Sequence, residues 1–323
     1  MPVTSVDVDP DAATLTVRAE YAVPLERLWD GYVDPRLIER FWGPPTYPAR
    51  FTRHDMFVGG RSAYAMTGPE GDVSRGYWEF LAVDPQRSFE VLDGFARDDG
   101  SPNQDMPAMR MVFTFSEIPG GSRVETVTYF NALSELEQLI EMGMEEGLRA
   151  AMSQMDDVIA DLASFASDLA TSTQILSDTQ VRVSRVIRGT VEQVWQAHND
   201  AALMQRWLLG PDGWTMPVCE LADGVGGTYR YEWEQGDQRF GFTGTLLEES
   251  APHRAVTTEQ MIGMDGEPSI NEMTLTPVDG GTLLSIVITY PNAEVRDIVL
   301  ATGMTDGMET SYARLEREVL ASV

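Results

Sequence analysis

At 323 residues, with 51 acidic against 23 basic side chains and a formal charge of −28, the chain is long enough for two domains, and its surface repels polyanions. That excludes nucleic acid and anionic membranes as partners, since both are bound through clustered basic residues. Every basic residue other than His54, His198 and His253 is an arginine, and without lysine there is no Schiff-base chemistry and no phosphate-loop lysine. Cys219 stands alone and the histidines lack ligand spacing, so neither a disulfide, a metal site nor a cofactor is expected. There is no run of 18 apolar residues, and the start carries Asp7, Asp9 and Asp11 with no basic segment, so a cytoplasmic protein is expected.

Residues 14–23 alternate Leu15, Val17, Ala19, Tyr21 and Val23 against polar neighbours, the period of a half-buried strand. Pro24 then opens a short helix over Leu25 to Trp29, and Asp34 is placed to cap a second that ends at Gly43-Pro44-Pro45. Six strands follow, near 47–55, 61–67, 74–84, 87–96, 108–117 and 122–130, with Gly120-Gly121 turning the last hairpin. Short turns between successive strands imply an antiparallel meander. From Leu136 through Ile140, Met144, Leu148, Met152, Met155, Ile159 and Leu162, apolar residues recur at steps of three and four, the mark of a long amphipathic helix. Two glycines inside it, Gly143 and Gly147, each cost roughly 1 kcal/mol relative to alanine. They are explained either by close packing on the sheet or by space kept for a ligand.

The series then repeats. Trp29, Asp34, Leu37 and Arg40 are matched 166 residues later by Trp195, Asp200, Leu203 and Arg206. Gly120-Gly121 is matched by Gly280-Gly281, and Gly143 with Gly147 by Gly303 with Gly307, at an offset of 160. Ordered matches along the whole length indicate a tandem duplication, with domains at 1–165 and 179–323 and a small polar linker at 166–178.

A strand, two short helices, six strands and a long terminal helix resemble the helix-grip fold of the START-like (SRPBCC) superfamily. Asp34-Pro35-Arg36-Leu37 to Phe41-Trp42-Gly43-Pro44 resembles its activator-of-heat-shock-protein-90-ATPase (AHSA-type) branch, and Asp200 to Trp207 fits less closely. The family often has tryptophan after the first helix glycine, where Met144 and Met304 stand here. The resemblance implies an α+β fold in which about seven strands wrap each long helix. It implies a hydrophobic small molecule, polyketide-like or polycyclic, between sheet and helix, in secondary metabolism or self-resistance. Cyclase or dehydratase catalysis, enediyne resistance by binding or self-sacrifice, and a protein-partner role remain open beside it. The chaperone role is expected to transfer poorly.

Such a cavity needs adaptable apolar walls. The candidates in the first copy are Trp42, Tyr64, Trp78, Met111, Phe113, Met144 and Met152. Those in the second are Trp207, Tyr229, Tyr231, Trp233, Phe242, Met261, Met304, Met308 and Tyr312. Each taken singly also suits plain core. Glu79, His54, Arg110, Glu259, Arg230 and His253 are the titratable or charged groups available for acid-base work, without a recognisable pairing, and the face each occupies is undecided by alternation.

Overall fold

The computed structural model describes the chain apart from residues 1, 107, 142, 144, 145, 148, 156, 157, 159–169 and 323. It divides into two compact units, 1–167 and 168–323. Among the described residues each unit is an α+β domain with one antiparallel sheet.

In the first unit β1 (Val3–Asp9) and β2 (Thr14–Tyr21) precede α1 (Leu25–Val33) and α2 (Pro35–Ile38). Then come β3 (Ala49–His54), β4 (Arg61–Thr67), β5 (Val73–Asp84), β6 (Ser88–Phe95), β7 (Met109–Ile118), β8 (Gly121–Tyr129) and α3 (Leu133–Glu141). In the second, β9 (Ser172–Ile175) and β10 (Gln180–Ile187) precede α4 (Val191–His198) and α5 (Ala201–Trp207). There follow β11 (Thr215–Glu220), β12 (Thr228–Gln235), β13 (Gln238–Ser250), β14 (Arg254–Met261), β15 (Ser269–Val278), β16 (Gly281–Thr289), α6 (Ala293–Ala301) and α7 (Met304–Glu318).

The sheets have the same order, β1-β2-β8-β7-β6-β5-β4-β3 and β11-β12-β13-β14-β15-β16-β10-β9. Each therefore has eight strands where seven were expected. The additional strand pairs outside the first expected one, and in the second unit it is built from residues 172–175, inside the stretch read as linker. Short and polar, it carries too little hydrophobic alternation to be read as a strand.

The turn glycines are positional. Gly120 and Gly280 have φ of 88° and 84°, which an L side chain rarely adopts. A Cβ on Gly121 would lie 2.0 Å from the Tyr21 carbonyl oxygen, and one on Gly281 would lie 2.2 Å from that of Ile187, so β8 passes hard against the end of β2 and β16 against the end of β10. Caps also fall where the sequence puts them. The Asp34 and Asp200 side chains accept from the amides of Arg36 and Leu203, and Thr190 with Gln193 forms a reciprocal capping box.

The terminal helix is not continuous. α6 ends at Ala301 and α7 begins at Met304, because Gly303 turns the backbone into the left-handed region at φ 80°. Gly143 does the same at φ 88°. Residues 149–155 are helical in the first unit, whereas Met144, Leu148, Ile159 and Leu162 of the expected helix lie outside the described residues.

Packing follows the inward phase of the strands. In the first unit Trp29 and Tyr32 of α1 meet Phe115 edge-on at 5.1 and 5.3 Å, above Phe89 stacked on Phe113 at 4.3 Å. In the second, Tyr312 and Leu315 of α7 pack with Trp207, Ile187, Leu275 and Leu284. α7 is also held by charge: Arg185 on β10, with its side chain 4% exposed, pairs with Glu309 at 3.0 Å and Glu316 at 3.1 Å. Taking Arg185 out of water is offset only because both partners and their hydrogen bonds are present.

Candidate functional site

Strand register decides which side chains share the helix-side face of each sheet. In the first unit Ser62 pairs with Trp78, Trp78 with Asp93, and Asp93 with Met109, a single row across β4 to β7. In the second, Tyr229 pairs with Gly244 and Glu259 with Ser269, and the flanking pairs Phe242–Met261 and Leu246–Thr257 set Gly244 opposite Glu259. The rows occupy the same place in the same topology. Each puts one carboxyl among apolar side chains on the inner face.

Asp93 is fixed by its neighbours. The Tyr64 hydroxyl donates to Oδ1 at 3.0 Å and the Trp78 indole N–H donates to the same oxygen at 2.8 Å. Burial raises the carboxyl to about 7, against the pull of those two donors. With both bonds on Oδ1, Oδ2 is the oxygen available to a guest. Trp42 closes the aromatic wall, 4.6 Å from Trp78 and 6.3 Å from Tyr64, its buried Nε1 lying toward the Tyr64 hydroxyl without hydrogen-bond geometry.

Glu259 has a different surround. Burial raises its carboxyl, opposed by the nearby Asn271 side chain, and among the described residues the Asn271 Oδ1 is buried with no partner of its own. Tyr229 is raised by burial first and then by the Glu259 charge, Tyr231 by burial and then by Cys219 and Glu259, and Tyr290 is pushed up to about 12 by burial and Glu259. Glu259 is enclosed by protein yet keeps accessible surface, as a group does at the wall of a cleft. Over this region Tyr290 reaches Met304 at the start of α7, its Oη 3.9 Å from Sδ.

Gly307 follows on the helix face shared by Met304 and Ser311. A Cβ there would meet nothing within 4 Å, and the same holds at Gly147. Among the described residues nothing opposes a side chain at either second glycine, so both positions leave room.

The predicted wall residues separate into two groups. Tyr64, Trp78, Tyr229, Tyr231, Phe242 and Met261 lie on the acid's row or the next one, with Met261 39% exposed at the rim, and Trp42, in the segment after α2, packs against Trp78 and Tyr64. Trp233 is stacked on Phe240 farther along β12, at 5.2 Å. Met304 and Met308 pack on the small core of Val181, Val183, Ile288 and Tyr290. Phe113, Trp207 and Tyr312 belong to the close-packed cores, and Met111 and Met152 are buried at 3% and 6% exposure. Met144 lies outside the described residues.

Of the six acid-base candidates only Glu259 faces this space. His54 is buried between Ser62 Oγ at 2.8 Å and the Tyr32 carbonyl at 2.9 Å, and His253 bonds the Leu275 carbonyl. Arg110 pairs with Glu90 and Arg230 with Glu232, and Glu79, opposite Leu92, takes the other strand phase from Trp78. Asp93 was missed, although Phe89 and Val91 set the phase that turns it inward. Cys219 is half-buried, its thiol pushed up to about 11 by burial, so it stays protonated. Among the described residues no group of His, Cys, Asp and Glu is arranged to hold a metal ion, and no helix is long and apolar enough to cross a membrane.

The chain matches the family model described as Activator of Hsp90 ATPase homolog 1-like protein twice, over residues 22–160 and 188–319. A solved protein from Mycobacterium smegmatis is 46% identical over 49% of this chain and 96% of its own, with a TM-score of 0.46. One from Arthrobacter aurescens is 37% identical over 49% and 92%, at 0.47, and one from Rhodobacter sphaeroides is 32% identical over 48% and 99%, at 0.45. No curated protein matches the chain.

Proposed function

Starting from the fact that the chain belongs, in two tandem copies, to the Activator of Hsp90 ATPase homolog 1-like family, we propose that it binds a hydrophobic small molecule between sheet and terminal helix. The supporting observation is the second unit's inner row. An acid without an ion-pair partner among the described residues stands among Tyr229, Tyr231 and Phe242, below a helix whose Gly307 leaves room. Aromatic walls favour a ringed guest of the polycyclic or polyketide-like kind, because flat faces bury large apolar area against rings. The acid supplies one polar point that orients it.

Titration of the full chain with the uncharged fluorophore N-phenyl-1-naphthylamine tests this. Saturable binding and a rise in melting temperature with probe concentration are expected. Gly307→Leu, which places a side chain in the open space, should weaken binding by about tenfold, since burying the guest's apolar area is what drives association. Binding that never saturates, or that ignores Gly307→Leu, defeats the proposal.

A second reading attaches to the first unit alone. A carboxyl near 7 with one oxygen pinned suits proton transfer at neutral pH, so cyclase or dehydratase-like turnover would use Asp93. Asp93→Asn should then keep probe binding and abolish conversion of a polyketide substrate.

A further inference from the structure

We propose that the second unit recognises a protonated primary amine carried on an apolar body, with Glu259 and Asn271 as the receptor for the ammonium group. The inference rests on reading the inner space as a guest site and names the chemistry of the guest.

The argument begins from unmatched acceptors. The Asn271 side chain lies near Glu259, one row away, and among the described residues its Oδ1 is buried with no donor. On the adjacent row, Glu259 forms no ion pair among the described residues, and burial is the main influence on it. A buried acceptor with its donor missing, a costly arrangement in a protein interior, thus sits beside an acid at the wall of the cleft. A neutral hydroxyl brings one donor and no charge. An ammonium brings three donors and the counter-charge that an ionised, desolvated carboxylate lacks.

The surround agrees with a cation. Tyr231 and Phe242 face each other across β12 and β13 on the acid's side, and Tyr229 stacks near Tyr231 with ring centroids 4.7 Å apart, so electron-rich ring faces stand beside the acid. Tyr229, Tyr231, Tyr290 and Cys219 are the titratable groups around it, and all hold their protons at pH 8. The chain's charge of −28 draws cations and repels anions at long range. The first unit repeats the placement with Asp93, which likewise has neutral donors only.

The test uses the full chain at pH 8 and a matched pair of guests, 1-naphthylmethylamine and 1-naphthalenemethanol, by calorimetry, with amide shifts of Asn271 followed by NMR. The amine should bind at least about tenfold tighter than the alcohol and shift the Asn271 side-chain amide, as expected of a desolvated charge pair. Glu259→Gln should remove that preference, the amine's affinity falling to about that of the alcohol on the same variant, and Asn271→Leu should halve the logarithm of the preference or more. The wild-type comparison stands even where a variant does not fold. An alcohol that binds as tightly as the amine overturns this inference and leaves the guest site intact. Failure of both, and of the uncharged fluorophore, removes the guest site as well.

Discussion

The two units place a carboxyl at one shared register position and exchange the bulk around it. Opposite Asp93 stands Trp78, with small Ser62 beyond; opposite Glu259 stands Gly244, with Tyr229 beyond, and a Cβ on Gly244 would come within 2.7 Å of the Tyr229 ring. Phe51 beside Tyr64 becomes Cys219 beside Tyr231, and Met109 and Met111 become Ser269 and Asn271. The first unit therefore sets more bulk around its acid and holds one of the acid's oxygens with two donors of its own. The second leaves room and an unmatched acceptor. Helix attachment differs too: Ala19 occupies in β2 the place that Arg185 takes in β10. A fold set by the phase of its apolar residues tolerates such exchanges so long as volume is kept along each row.

Removing the indole gives the strongest way to break the comparison. Trp78→Ala should cost the first unit about 3–5 kcal/mol by cavity formation, seen in urea denaturation as the early loss of one transition. A cost under about 1 kcal/mol would mean that the indole is not packed. Next comes the helix clamp. Arg185→Leu leaves Glu309 and Glu316 unpaired and should destabilise the second unit by about 2 kcal/mol, below a fully buried pair because Glu309 keeps 35% side-chain exposure. An unchanged midpoint would show that the ion pairs contribute nothing.

The acids sharpen it further. Asp93 titrates near 7 when folded and near about 4 when unfolded, so the native state holds the extra proton between those values. Stability of the first unit should fall as pH rises from about 4 to about 7 and then level off, and Asp93→Asn should flatten that slope. Denaturation at pH 4.5, 6 and 8 decides it. The smallest effect is at the glycines. Gly307→Ala should stabilise the guest-free second unit by roughly 0.5–1 kcal/mol, as a helix position with open space. Gly303→Ala should destabilise it by about 1 kcal/mol, since φ there is 80°. Equal signs would refute the distinction.

Most strands were legible because alternation such as Met109, Met111, Phe113 and Phe115 survives in the register. The outer strands β1 and β9 were not, their residues being mostly polar. Glu259 could not be assigned a face because Ala255, Thr257 and Thr258 carry no apolar phase, and the register shift between Leu246 and Glu248 breaks the count from β13. The helix break was obscured because the apolar period runs on through Gly303, whereas the positive φ is a backbone property that the side-chain pattern does not carry.

Gly303 has a consequence for how the second unit breathes. Downstream of it, α7 has Ser311, Tyr312, Arg314 and Leu315 buried and is tied to β10 by Arg185, whereas α6 has no fully buried residue. The hydrogen-bond ladder stops at the glycine, so fraying of one segment is not passed to the other. Amide protons of residues 293–301 should accordingly trade with deuterium well before those of 308–318, and a single common rate would show that the two segments open together.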